Sequence, residues 1–106
     1  WLYTVQTDCA DPAQEAEFYD WYDNEHMPAL AGVPGVLRAR RYHAVSGSPA
    51  SLSAFELSAR EVFESPPWLE ARKTPRTARI RTLFTNVRRT MYRLILPTRL
   101  PGAPRA

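Results

Sequence analysis

The stretch between Asp11-Pro12 and Gly32-Val33-Pro34-Gly35 has both ends fixed by local chemistry, and it constrains the fold more than any other. Asp11 stands where a helix N-cap would, offering a side-chain acceptor to the first free backbone N–H groups. Pro12 brings a pre-set φ to the first helical position, and Gln14 is the capping-box partner three residues on. Glu15 and Glu17 add negative charge at the positive end of the helix dipole. The helix is expected to run to about Met27, where Pro28 removes a donor and ends or kinks it. Gly32, Pro34 and Gly35 then force a turn.

Strands are expected on either side of this helix. Residues 2–7 alternate and are rich in β-formers. Val36 to Ala44 and Leu52 to Leu57 flank a Ser46-Gly47-Ser48-Pro49 loop and read as an antiparallel hairpin. A helical region follows over 59–84, broken at Pro66-Pro67 and at Pro75, and Val87 to Ile95 reads as a fourth strand. The order β-α-β-β-α-β predicts an α+β, ferredoxin-like arrangement: a four-stranded antiparallel sheet with helices on one face. Residues 1–96 form one domain in this reading, and 97–106, with three prolines, form a tail. Two helices cover one sheet face only. The other carries apolar residues, with Val87, Met91 and Ile95 on one side of the last strand and Tyr92 and Leu94 on the other. A homodimer burying sheet against sheet accounts for that.

At about 100° per residue, the helix stripe that faces the sheet holds Phe18, Trp21, Tyr22, Glu25, His26 and Ala29, while Asp20, Asn24 and Met27 point away. A carboxylate and an imidazole therefore lie within an otherwise apolar stripe. A carboxylate under a sheet has to be paired, hydrogen-bonded or protonated. The arginines of the second strand, Arg38, Arg40 and Arg41, are the partners in reach, though Arg40 and Arg41 point to opposite faces. One reading is a structural ion pair that pins helix to sheet, with His26 its hydrogen-bonded neighbour. The other makes His26 a general acid/base, oriented by Glu25, at the mouth of a pocket walled by Trp21, Tyr22 and Trp68. His43 at the end of the second strand is a further candidate contact, and packing or solvation also explains it.

Charge is distributed unevenly. Residues 1–37 carry seven acids and no Lys or Arg, and residues 71–106 carry ten bases and no acid. A basic third of a chain can bind nucleic acid, but it can also lie against the acidic helix, and the second reading is favoured because the opposite charge is present in the same chain and aromatics are only weakly interleaved with the bases. No apolar run approaches the ~20 residues of a membrane span, and no signal peptide is evident, so no membrane partner and a cytoplasmic location are expected. The single Cys9 makes no disulfide, and no Cys/His spacing suggests a metal. A phosphate loop, a nucleophile elbow and a dinucleotide fingerprint are all absent.

The run Phe18-Tyr19-Asp20-Trp21-Tyr22-Asp23-Asn24-Glu25-His26-Met27-Pro28, followed by Val33-Pro34-Gly35 and Arg40-Arg41-Tyr42, resembles the dimeric α+β barrel superfamily, in its EthD-like branch. Its W-Y-x-x-E-H-x-P helix, V-P-G turn and R-R-Y strand end carry the resemblance. That superfamily includes isomerases, cyclases, cofactor-independent monooxygenases and haem-handling enzymes, so the resemblance implies a fold more than a reaction. It matches Glu25 and His26 to the family's E-H pair, and Trp21 and Tyr22 to its aromatic pair. The haem-degrading branch is disfavoured, because 59–84 contains no histidine for an axial ligand. The resulting expectation is an enzyme working without metal or organic cofactor on a small cyclic or aromatic metabolite. Isomerisation, dehydration, decarboxylation or cyclisation would proceed by proton transfer at His26, with Arg40 holding an anionic substrate oxygen. The alternatives are a non-catalytic binding or accessory protein and a cofactor-independent monooxygenase.

Overall fold

A computed structural model describes residues 1–96; the tail expected at 97–106 lies outside the described residues. The strands are β1 (Leu2–Cys9), β2 (Val36–His43), β3 (Ser51–Leu57) and β4 (Phe84–Tyr92), joined in one antiparallel sheet of order β2-β3-β1-β4. The helices are α1 (Glu15–Trp21), α2 (Met27–Ala31), α3 (Pro66–Ala71) and α4 (Pro75–Arg81). This is the expected ferredoxin-like α+β architecture, with both helical layers on one face of the sheet.

Pairing explains the limits of the strands. β1 faces β3 from Leu2↔Glu56 to Thr7↔Ser51 and faces β4 from Leu2↔Tyr92 to Cys9↔Phe84. The last strand was expected at Val87 to Ile95 but lies earlier, because β1 begins at Leu2 and offers no partner beyond Tyr92. Leu94, Ile95 and Leu96 are exposed rather than alternating across a sheet. On β3, Ser51, Ser53, Phe55 and Leu57 are buried beneath the helices, and the intervening residues are only half-covered. The core gathers Phe18, Trp21, Leu30, Phe55, Leu57, Trp68 and Ile80.

Capping chemistry sets the helices. Asp11 accepts from the Ala13 N–H at 3.0 Å, and a single tight turn over Pro12–Gln14 leads into α1. Ser65 and Thr74 cap α3 and α4, so Pro66 and Pro75 open helices rather than interrupt one. Gly35 has φ of +92°, and a Cβ there would collide with the Val62 side chain, so the turn after α2 requires glycine.

The acidic first helix and the basic last third do lie side by side. Arg76 bonds Asp20 at 2.7 Å, Arg79 bonds Glu17, and from β2 Arg41 grips Asp23 through two bonds of 2.7 and 3.0 Å. No helix among the described residues is long and apolar enough to cross a membrane.

Candidate functional site

Pro28 does not end the first helix. Between α1 and α2 the chain makes one wide turn over Tyr22–His26, in which the Met27 N–H reaches the Tyr22 carbonyl five residues back. In a regular α-helix the Pro28 ring would crowd the Asn24 carbonyl; the wider π turn relieves that contact, and the helix continues to Ala31. This inserts one residue into the helical repeat. Every inward position after Tyr22 therefore moves one place along the chain. The inward set is Phe18, Trp21, Tyr22, His26, Met27 and Leu30, in place of a set ending in Glu25, His26 and Ala29. Met27, expected to face outward, is buried.

The inserted residue separates the two neighbours that drew attention in the sequence. Glu25 turns to the flank, where its Oε2 accepts from the Thr74 hydroxyl at 2.9 Å and the Thr77 hydroxyl at 3.2 Å. The Trp21 indole N–H donates to the Thr77 hydroxyl at 3.1 Å, and the Thr77 backbone N–H to the Thr74 hydroxyl at 3.0 Å. Glu25 thus joins helix 15–31 to the start of α4. The strand arginine expected to pair with it is absent: Arg41 is bound to Asp23, and Arg40 is exposed.

His26 instead lines a cavity between helix and sheet. Its ring stacks on Trp21 with centroids 4.3 Å apart and planes inclined by 20°. Its Nδ1 is buried without a hydrogen-bond partner, as is the Trp68 Nε1, and both residues border the cavity. Tyr3, Tyr22, Phe55 and Phe84 complete aromatic walls. The cavity measures about 30 Å³ and opens to solvent.

Three arginines also border this cavity: Arg72 from the end of α3, Arg81 from the end of α4 and Arg89 from β4. None of them forms a salt bridge among the described residues, where Arg38, Arg41, Arg76 and Arg79 all do. Burial, then the charges of Arg72 and Arg81, lower the His26 pKa from 6.5 to about 3, so the imidazole is neutral at physiological pH. Burial and the neighbouring Arg81 and Arg89 charges likewise depress Arg72. Burial raises the Tyr3 phenol, against the pull of the same three arginines.

Of the residues singled out in the sequence, the structure gathers Trp21, Tyr22, His26 and Trp68 at the cavity and leaves Glu25, Arg40 and His43 off it. Register explains the strand residues. Arg41 and His43 share the helix-side face with Ala39, whereas Arg40, opposite Ala54, lies on the other. His43 meets the edge of Tyr19 at 5.6 Å, beyond the cavity. The cavity arginines were not anticipated. Alternation places Arg89 on the same strand face as Met91, so one of them was within reach of sequence reasoning; Arg72 and Arg81 depend on how α3 and α4 close over the sheet.

Comparison with solved structures finds the same fold in proteins of low sequence identity, among them a dimeric ferredoxin-like protein from an uncultured marine organism. The chain superposes on a proposed antibiotic biosynthesis monooxygenase from Deinococcus radiodurans with a TM-score of 0.71 and 14% identity, covering 96% of this chain and 100% of the other. SnoaB, a cofactor-independent oxygenase from Streptomyces nogalater, gives 0.63 and 17%, covering 92% and 96%. An ethyl tert-butyl ether d (EthD) family protein from Bacillus halodurans gives 0.51 and 16%, covering 88% and 100%. At these identities the likeness is one of fold. No family model matches the sequence, and no curated protein does.

Proposed function

We propose that this protein is a small-molecule enzyme whose helix–sheet cavity binds a cyclic or aromatic metabolite, with His26 taking a proton from it. The observation that carries this reading is the His26 ring itself: neutral, stacked on Trp21, with Nδ1 unpartnered beside an aromatic-walled cavity that opens to solvent. In the tautomer with hydrogen on Nε2, Nδ1 offers a lone pair to an acidic C–H or O–H of the substrate. The three cavity arginines stabilise the enolate or phenolate that forms. Burial, with the charges of Arg72 and Arg81, keeps His26 weakly basic while the cavity is empty. A bound anion offsets their charge and strengthens the base when substrate is present.

Two fates of the resulting anion follow. Reprotonation at another position gives an isomerisation and needs nothing further. Reaction with dioxygen at a ring CH₂ gives a carbonyl and one water, the substrate supplying all the electrons. The likeness in fold to SnoaB favours the second fate. Both begin with the same proton transfer, so one experiment reads both. A panel of enolisable cyclic and phenolic compounds is incubated with the protein while solvent-deuterium uptake and oxygen consumption are followed. Turnover is expected to fall by about 100-fold or more in His26→Ala, with the melting temperature changed by only a few degrees. Turnover surviving in that variant would remove His26 from the chemistry, and binding without turnover would make the protein a binder.

The same reading includes a homodimer. The sheet face away from the helices presents Tyr42, Leu52, Leu2 and Tyr92, with Tyr42 and Tyr92 about half exposed, and no helix covers it. Light scattering on the wild type and on Leu52→Glu tests this: the substitution, which puts a charge on that face, should yield monomers.

A further inference from the structure

We infer that the ligand of this cavity carries a carboxylate on its ring, clasped by Arg72, Arg81 and Arg89, with the Trp68 indole N–H as an additional donor. The inference rests on the cavity being the ligand site proposed above and names the group that it recognises. Like charges do not converge on a half-buried cleft without cost, and here all three guanidiniums stand near His26 or Tyr3 with no carboxylate beside them among the described residues. The mutual opposition is visible at Arg72, depressed by burial and then by Arg81 and Arg89. Around the first helix Arg41, Arg76 and Arg79 each meet an acid, and the three cavity arginines do not. Of the two polar atoms left unpartnered at the cavity wall, His26 Nδ1 and Trp68 Nε1–H, the second can only donate, and it points to the same chemistry. A site of donors wants an acceptor-rich, negatively charged group, and guanidinium forks match the two oxygens of a carboxylate.

The walls decide what bears the charge. Tyr22, Phe55 and Phe84 give the cavity aromatic, apolar walls, which suit a ring and give nothing to a free inorganic anion. The anionic substrate oxygen was assigned to Arg40 on sequence grounds; the fold moves that task to arginines from three other elements.

Three probes test the inference on the full chain by calorimetry, with the indole N–H signals followed by NMR: benzoate, its neutral analogue benzamide, and inorganic phosphate. Benzoate is expected to bind with a dissociation constant of about 1 mM or tighter, more weakly as salt rises, and to shift one indole signal that is lost in Trp68→Phe. Benzamide and phosphate should each bind at least about tenfold more weakly, one lacking the charge and the other the ring. Arg81→Met and Arg89→Met, both at exposed positions where folding is not at stake, should each weaken benzoate by about tenfold. Arg76→Met, which removes a cation already paired with Asp20, should leave it within about twofold. Equal affinity for benzoate and benzamide, or for benzoate and phosphate, overturns the inference, as does Arg89→Met with unchanged affinity. Benzoate binding without turnover of any panel compound would end the enzymatic reading and leave this one standing. Turnover of neutral compounds by a protein that ignores benzoate would do the reverse.

Discussion

Two sets of arginines surround the first helix, and they are treated in opposite ways. On its outer side, Arg76, Arg79 and Arg41 each meet a carboxylate, at Asp20, Glu17 and Asp23. Arg41 also lies over the Tyr19 ring, 5.1 Å from its centroid. On the inner side, Arg72, Arg81 and Arg89 border a cavity with no acid beside them among the described residues, and the histidine between them is held neutral. The contrast extends to adjacent residues of one turn: Glu25 receives two hydroxyl donors, while His26 Nδ1 receives none. Part of the basic third holds the helix in place through Arg76 and Arg79; in the function proposed above, Arg72, Arg81 and Arg89 are the part that meets a ligand.

The largest test of that contrast after loss of turnover is acid sensitivity. The His26 pKa is lower folded than unfolded, so the stability it confers is complete above about pH 6.5 and is lost as pH falls towards 3. Unfolded chains take up a proton in that window that folded chains refuse. Between pH 6.5 and 4.5 the wild type should therefore lose about 2–3 kcal/mol relative to His26→Gln, measured by urea unfolding at several pH values. The acids paired on the outer side titrate in both proteins and cancel. Parallel pH curves would mean that His26 is not sequestered.

Glu25→Ala should come next, costing about 1–3 kcal/mol, because it leaves the Thr77 hydroxyl without its acceptor, while the Thr74 hydroxyl keeps the Thr77 oxygen. Glu25→Gln keeps an acceptor and should cost much less; equal losses would mean that the charge, rather than the acceptor, holds α4. Among the arginines the two sets should differ in sign. Arg72→Met relieves like-charge opposition and should stabilise the ligand-free protein by a few tenths of a kcal/mol, after discounting for screening by solvent. Arg76→Met breaks pairs to Asp20 and Glu17 and should lower the denaturation midpoint slightly. Changes of the same sign would erase the distinction between the sides.

Much of the architecture could be read from local chemistry. Asp11-Pro12, the Gly35 turn and the Ser46–Pro49 loop announce themselves through caps and φ restrictions, and they fix the order of elements. The apolar stripe likewise led to Trp21, Tyr22 and His26. What could not be read was a departure from regular repeat. Treating Pro28 as a stop hid the π turn, and with it the one-residue shift that buries Met27 and turns Glu25 to the flank. The end of β4 was set by where β1 begins, a fact of pairing rather than of β4's own residues. Arg40 and the cavity arginines mark the deeper limit. Alternation gives the face of a strand residue, but which cations meet over a cleft depends on how separate helices close upon the sheet.

The central claim is that His26 sits neutral in an aromatic, cation-lined cavity. The direct measurement is an NMR pH titration of the His26 imidazole, made in His43→Gln so that a single histidine remains. The account predicts a ring still neutral at pH 5, with its midpoint near 3 in the absence of ligand. A midpoint near 6.5, the value of a histidine in water, would contradict it.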